Sequence, residues 1–149
     1  MANSRKIRIG ITQGDINGIG YEVILKTLQN SEILDFCSIV VYGSLRVANY
    51  HRKALEMPAI DFREIATAEE LRDNSFNIVD VMNDDDAKVE LGSLSKTAGK
   101  AAFASLEQAV ADQADRRDTY QLQQVMRRVV GRYVGQRLRR RPMIVPVVV

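Results

Sequence analysis

The chain has 149 residues, 46% hydrophobic and 27% charged, enough to bury about two-thirds of the unfolded surface in a single core. No run approaches the ~20 apolar residues that span a bilayer, and the opening Met1-Ala2-Asn3-Ser4 leads into a charged strand rather than a signal-peptide core, so a cytoplasmic protein is expected. A lone cysteine, Cys37, excludes an internal disulfide, and a lone histidine, His51, excludes a self-contained His-rich metal site.

In chain order, Lys6 to Thr12 alternates with Ile7, Ile9 and Ile11 on one side, which predicts a strand. The turn Gln13-Gly14-Asp15-Ile16-Asn17-Gly18-Ile19-Gly20 follows. Tyr21, Ile24, Leu25 and Leu28 then recur at helical spacing, predicting a helix from Ile19 to Gln29. Strand, glycine loop and helix open an α/β unit. The unbroken apolar run Ile39-Val40-Val41 predicts a strand from Ser38 to Tyr42 buried on both faces. Gly43 and Ser44 start a second helix reaching Glu56, with Leu45, Ala48 and Leu55 inward and Pro58 closing it.

Residues 60 to 65 predict a short strand, and Thr67 with Glu70 three residues on predicts a capping box. Phe76 to Val81 predicts a third strand, Asn83 to Asp86 a polar turn, and Lys88 to Leu91 a short edge strand. The longest helical pattern runs from Lys96 to Asp112 with Ser95 as its N-cap. Gly99, Ala102, Phe103, Leu106, Ala109 and Val110 form its apolar stripe. Alternating strands and helices predict an α/β fold: a mostly parallel sheet with helices on both faces.

Charge divides the chain in two. Residues 1–114 hold 12 Lys+Arg against 17 Asp+Glu, a balance of −5, whereas residues 115–149 hold 9 against 2, a balance of +7. Every cation of the later stretch is arginine. Leu122, Val125, Met126, Val129, Val130 and Tyr133 recur there at helical spacing, predicting a basic amphipathic helix. Such a tail suits nucleic acid or an anionic membrane surface. Two domains are therefore expected, 1–112 and a divergent tail 113–149.

The sharpest motif is Gly14-Asp15-x-x-Gly18-x-Gly20-x-Glu22. Its glycines let the backbone pass close to a neighbour or ligand, and the following helix offers free N–H groups. It matches neither the Rossmann fingerprint nor the Walker loop, and a tight structural turn accounts for it as well as a ligand loop does. Glu22 complements the helix dipole. Ser93-x-x-Lys96 lacks the companion motifs of acyl-transfer enzymes and reads as capping and surface residues. Asp84, Asp85 and Asp86 read as a solvated loop, His51 as a surface or interface histidine, and Cys37 as a small core residue.

The run from Ile9 to Lys26 resembles the opening of the 4-hydroxythreonine-4-phosphate dehydrogenase family, whose pattern is close to I-T-x-G-D-P-A-G-I-G-P-E-I-x-L-K. Ile39-Val40-Val41-Tyr42-Gly43-Ser44, Leu91-Gly92 and Ala98-Gly99-Lys100-Ala101-Ala102 extend the resemblance over residues 5 to 112. Ile16, Asn17 and Tyr21 stand where the pattern has Pro-Ala and Pro, which predicts a less rigid loop.

The resemblance implies a fold like that of the isocitrate and isopropylmalate dehydrogenases, here truncated. It further implies a homodimer that oxidises a small phosphorylated hydroxy amino acid, 4-phosphohydroxy-L-threonine, in pyridoxal phosphate (vitamin B6) synthesis. The implied cofactors are NAD or NADP and a divalent metal, Zn or Mg. Gly14, Asp15, Gly18, Gly20 and Glu22 would form one wall of the active-site cleft. The family's later D-A-L-V-T-A-P-I-N-K and G-H-T-E segments, with its metal histidines, do not occur after Asp112, so no catalytic or metal residue is assigned. The expectation is an incomplete, inactive copy whose tail arises from a shifted reading frame. The alternative is a binding module that uses its basic tail.

Overall fold

The computed structural model describes residues 6–83 and 87–112. All of them belong to one unit, Met1–Asp112. The predicted turn at Asp84–Asp86 and the arginine-rich helix lie outside the described residues.

Four parallel strands form the sheet in the order β1-β2-β4-β3. They are β1 (Ile7–Thr12), β2 (Cys37–Gly43), β3 (Phe62–Ile65) and β4 (Phe76–Asp80). The helices are α1 (Gly20–Leu28), α2 (Ile33–Phe36), α3 (Leu45–Ala54) and α4 (Lys96–Ala111). Every residue of β2 is buried, as its unbroken apolar run predicts for a strand flanked on both sides. Alternation along β2 separates two cores. Ile39 and Val41 join Ile78 of β4 and Ile24 and Leu28 of α1 on one face. Val40 and Tyr42 join Val79 and Ile65 on the other, with Ala109 of α4 packed against them. Helices thus cover both faces of a parallel sheet, as expected.

Strand β1 is at the edge of the sheet. Ile11 packs against the first core, but Ile7 and Ile9 remain 52% and 39% exposed. Helix α3 ends in a Schellman closure. Glu56 takes the left-handed conformation at φ 53°, its N–H donates to Lys53 O, and Met57 N–H donates to Arg52 O. Pro58 follows, as predicted.

Several local expectations need correction. Helix α2 was not legible, because its four residues are too few to show a period. Lys88 to Leu91 forms no strand: the Glu90 and Gly92 amides donate to Asn17 in the glycine loop instead of to a sheet neighbour. Thr67 makes no side-chain cap on the single turn Ala68–Glu70. The Asp112 carboxylate, from the end of α4, accepts from the Ala68 N–H at 3.2 Å in its place. Ser95 does cap α4, accepting from Ala98 N at 3.0 Å. The buried face of α4, however, is Ala98, Ala101 and Ser105, while Phe103 and Leu106 of the predicted stripe are 61% and 48% exposed. Small side chains let the helix approach the sheet closely, and that contact outweighs the larger stripe.

Candidate functional site

The glycine loop joins the C-terminal end of β1 to the start of α1, the edge of a parallel sheet where ligands of open α/β folds are bound. Its three glycines have different physical grounds. Gly14 adopts φ +65°, a conformation L side chains rarely take, in open space. Gly20 has no such φ, but a Cβ there would lie 2.5 Å from the Gln13 carbonyl oxygen. Gly18 would place a Cβ 3.5 Å from the Asp15 carbonyl oxygen, an ordinary contact. Two of the glycines are therefore required, one by conformation and one by close approach.

Asp15 is exposed, and its Oδ1 accepts from the Asn17 N–H at 2.9 Å, closing the turn. Glu22 lies in the first turn of α1, where it complements the helix dipole, and pairs with Lys26 at 2.5 Å. Both carboxylates thus have local structural partners.

Beneath the loop runs a buried polar network that sequence reasoning missed. Gln13 is fully buried. Its Oε1 accepts from the Tyr21 hydroxyl at 2.7 Å, and its Nε2 donates to Ala101 O of α4 at 3.3 Å. The Gln13 N–H lies 3.0 Å from Tyr42 O and 3.1 Å from Ser105 Oγ, and the Ser105 hydroxyl donates to Tyr42 O at 2.6 Å. Ser44 N–H donates to the Tyr21 oxygen at 2.8 Å. One glutamine therefore ties the end of β1 to α1, β2 and α4. Burial pushes the Tyr21 hydroxyl pKa well above the usual tyrosine value; the Ser44 N–H opposes the shift and the Asp80 charge adds to it.

His51 is buried rather than at the surface. It is 3% exposed, donates from Nε2 to Ile16 O at 2.7 Å and stacks on Tyr21 with ring centroids 5.3 Å apart. It supports the loop from below. The three departures from the family pattern are all buried and engaged: Ile16 in the core beside Val47 and Ala48, Asn17 in hydrogen bonds, and Tyr21 in the Gln13 network. Where the family pattern has prolines, this loop therefore has side-chain ties to its surroundings.

Ser93 contributes its carbonyl to Asn17, and Lys96 is an exposed first residue of α4, in keeping with their reading as surface and capping residues. Cys37 is buried and donates from Sγ to Ile33 O at 3.4 Å, a small core residue as expected. Among the described residues no three His, Cys, Asp or Glu side chains converge as metal ligands. The described residues therefore do not by themselves fit the divalent metal that the resemblance implies. No described helix is long and apolar enough to cross a membrane.

A parallel α/β sheet with a glycine loop at its strand ends is the class these features define, and comparison with known proteins narrows it. The chain is 51% identical over 105 residues to 4-hydroxythreonine-4-phosphate dehydrogenase of Bacteroides thetaiotaomicron, covering 70% of this chain and 28% of the relative. It is 37% identical over 105 residues to D-threonate 4-phosphate dehydrogenase of Cupriavidus necator, covering 69% and 31%. The crystal structure of a 4-hydroxythreonine-4-phosphate dehydrogenase from Burkholderia phymatum superposes with a TM-score of 0.62 at 28% identity, covering 72% of this chain and 33% of that one. Over about 70% of its length the chain is homologous to 4-hydroxythreonine-4-phosphate dehydrogenases, and it spans about a third of the length of these relatives.

A family model described as the ribonuclease J C-terminal domain also matches residues 87–149. That match covers less than half of the chain, and its first part, including α4, packs on β1 and β2 of the dehydrogenase-like sheet. The basic-tail binding alternative draws no support from the relatives found.

Proposed function

We propose that residues 1–112 supply the sheet and glycine-loop portion of a cytoplasmic, homodimeric NAD(P)-dependent oxidoreductase acting on 4-phosphohydroxy-L-threonine in pyridoxal phosphate synthesis. The observation that carries this reading is 51% identity over 105 residues to a 4-hydroxythreonine-4-phosphate dehydrogenase. In it, Gly14, Asp15, Gly18, Gly20 and Glu22 shape one wall of the cleft. Asp15 closes the turn of the loop and Glu22 complements the start of α1. A nicotinamide and a divalent metal, Zn or Mg, belong to the reading through the family, and no step through either is assigned to the described residues.

Among the described residues no metal ligands converge, and the family's later metal and substrate segments do not occur after Asp112, so the chain is expected to be inactive alone. The full chain, incubated with the phosphorylated substrate, NAD or NADP, and Zn²⁺ or Mg²⁺, should reduce no nicotinamide above background. Turnover at ordinary enzyme rates, about 1 s⁻¹ or faster, would overturn the inactivity. The similarity to a D-threonate 4-phosphate dehydrogenase favours a second reading, in which the substrate is a phosphorylated hydroxy acid without the amino group; running both substrates side by side separates the two. The shifted-frame origin of residues 113–149 predicts a T-A-P-I-N-K-like strand in another frame of the coding DNA after residue 112.

A further inference from the structure

We infer that Asn17 couples the glycine loop to the segment leading into α4, so that the two move as one body rather than as independent loops. This goes beyond the proposed activity and does not depend on it. Asn17 is 3% exposed, and all of its polar groups are engaged. Its N–H donates to Asp15 Oδ1 at 2.9 Å within the loop. Its side-chain Oδ1 accepts from Glu90 N–H at 2.8 Å, its Nδ2 donates to Ser93 O at 3.0 Å, and its backbone carbonyl accepts from Gly92 N–H at 2.9 Å. Nδ2 also lies 3.4 Å from Ser95 Oγ, the oxygen that caps α4 by accepting from Ala98 N–H.

Val89 packs against the core beside Ile16 and Ala98, but past it Asn17 supplies the described hydrogen bonds that tie the segment to the loop. Residues 90–94 are exposed, with Leu94 fully so, and none of them pairs with the sheet. Burial therefore contributes little to their placement. A carboxamide offers acceptor and donor at a fixed separation, which is what bridging an N–H and a carbonyl three residues apart requires. On the loop side, Ile16 O is held by His51, so the anchor itself is rigid. The loop and the first turn of α4 consequently share one fixed reference point, and the loop behaves as a wall rather than a lid.

Amide hydrogen exchange on the full chain tests this residue by residue. Asn17→Ala should speed exchange of the Glu90 and Ala98 amides at least tenfold while leaving those of β2 and β4 within about twofold of wild type. Asn17→Asp keeps the acceptor for Glu90 and loses the donor to Ser93. It should preserve Glu90 protection and release Ala98, and it decides the matter if the alanine variant does not fold. Equal acceleration across β2 and β4 would reduce Asn17 to a general stability residue and overturn the inference. So would unchanged exchange at Glu90 in the alanine variant or at Ala98 in the aspartate variant.

Discussion

Replacing Tyr21 with Phe removes one oxygen atom from the middle of the buried network and little else. The ring keeps its place against His51, so the apolar transfer energy is unchanged. What is lost is the donor to Gln13 Oε1 and the acceptor for Ser44 N–H, at 2.7 and 2.8 Å, in a site that Tyr21 leaves 1% exposed. A buried group deprived of its partner costs about 1–3 kcal/mol. Two such groups, partly relieved by rearrangement of the flexible glutamine, set the expected loss at about 2–4 kcal/mol. A change of 1 kcal/mol moves the midpoint by about 4–8 °C in a domain of this class, so Tm should fall by roughly 10–25 °C. Urea unfolding followed by circular dichroism should show a lower midpoint at unchanged slope. A loss below about 0.5 kcal/mol would show that the network is not held by the hydroxyl and would refute the reasoning.

The same hydroxyl predicts a pH dependence. Unfolded tyrosine ionises near pH 10, whereas folded Tyr21 keeps its proton to higher pH. Above about pH 10 the unfolded chain releases a proton that the folded chain retains, so stability falls as pH rises, with no contribution below that value. The difference between wild type and Tyr21→Phe in urea midpoint should therefore shrink above pH 10 and stay flat between pH 7 and 9. Alanine at Gly20 should cost about 1–3 kcal/mol through contact with the Gln13 carbonyl, alanine at Gly14 about 1–2 kcal/mol through its backbone conformation, and alanine at Gly18 less than about 0.5 kcal/mol; thermal melts of the three variants give the order. Glu56→Gly should raise stability by up to about 1 kcal/mol, since glycine takes the left-handed C′ position without the Cβ penalty, and a lower midpoint would show that the Glu56 side chain outweighs its backbone.

The sheet was largely legible in the sequence because its signals are local. The continuous Ile39–Val41 run identified the doubly buried central strand, and the Tyr21, Ile24, Leu25, Leu28 spacing identified the buried face of α1. The site was legible only at its glycines. Gln13 reads as an ordinary loop residue, and nothing near it in sequence reveals that Ala101 and Ser105, about ninety positions away, supply its partners. His51 reads as a surface or interface residue because its partner is the carbonyl of Ile16, which has no side-chain signature. In α4 the largest hydrophobic stripe misleads, since a period locates an apolar face but does not say which face fits the space available. The Lys88 to Leu91 strand failed because its amides were already claimed by a single asparagine.

The small inward face of α4 acts as a spacer. Ala98 and Ala101 pack beside Ile16, Tyr21, Val47 and Ala48, and the Ser105 hydroxyl donates to Tyr42 O of β2, so the inward face of α4 carries only small side chains, and Gly10 on β1 leaves room for the Tyr42 ring beside it. Widening that face by one large side chain would raise the whole helix and carry its N-terminus away from the glycine loop, stretching the Asn17 bridge and the Gln13 contact together. Along α4, burial thus runs opposite to what hydrophobicity alone suggests: Phe103 and Leu106 stand exposed in this unit, whereas the small side chains of Ala98, Ala101 and Ser105 are buried and have the least room to grow.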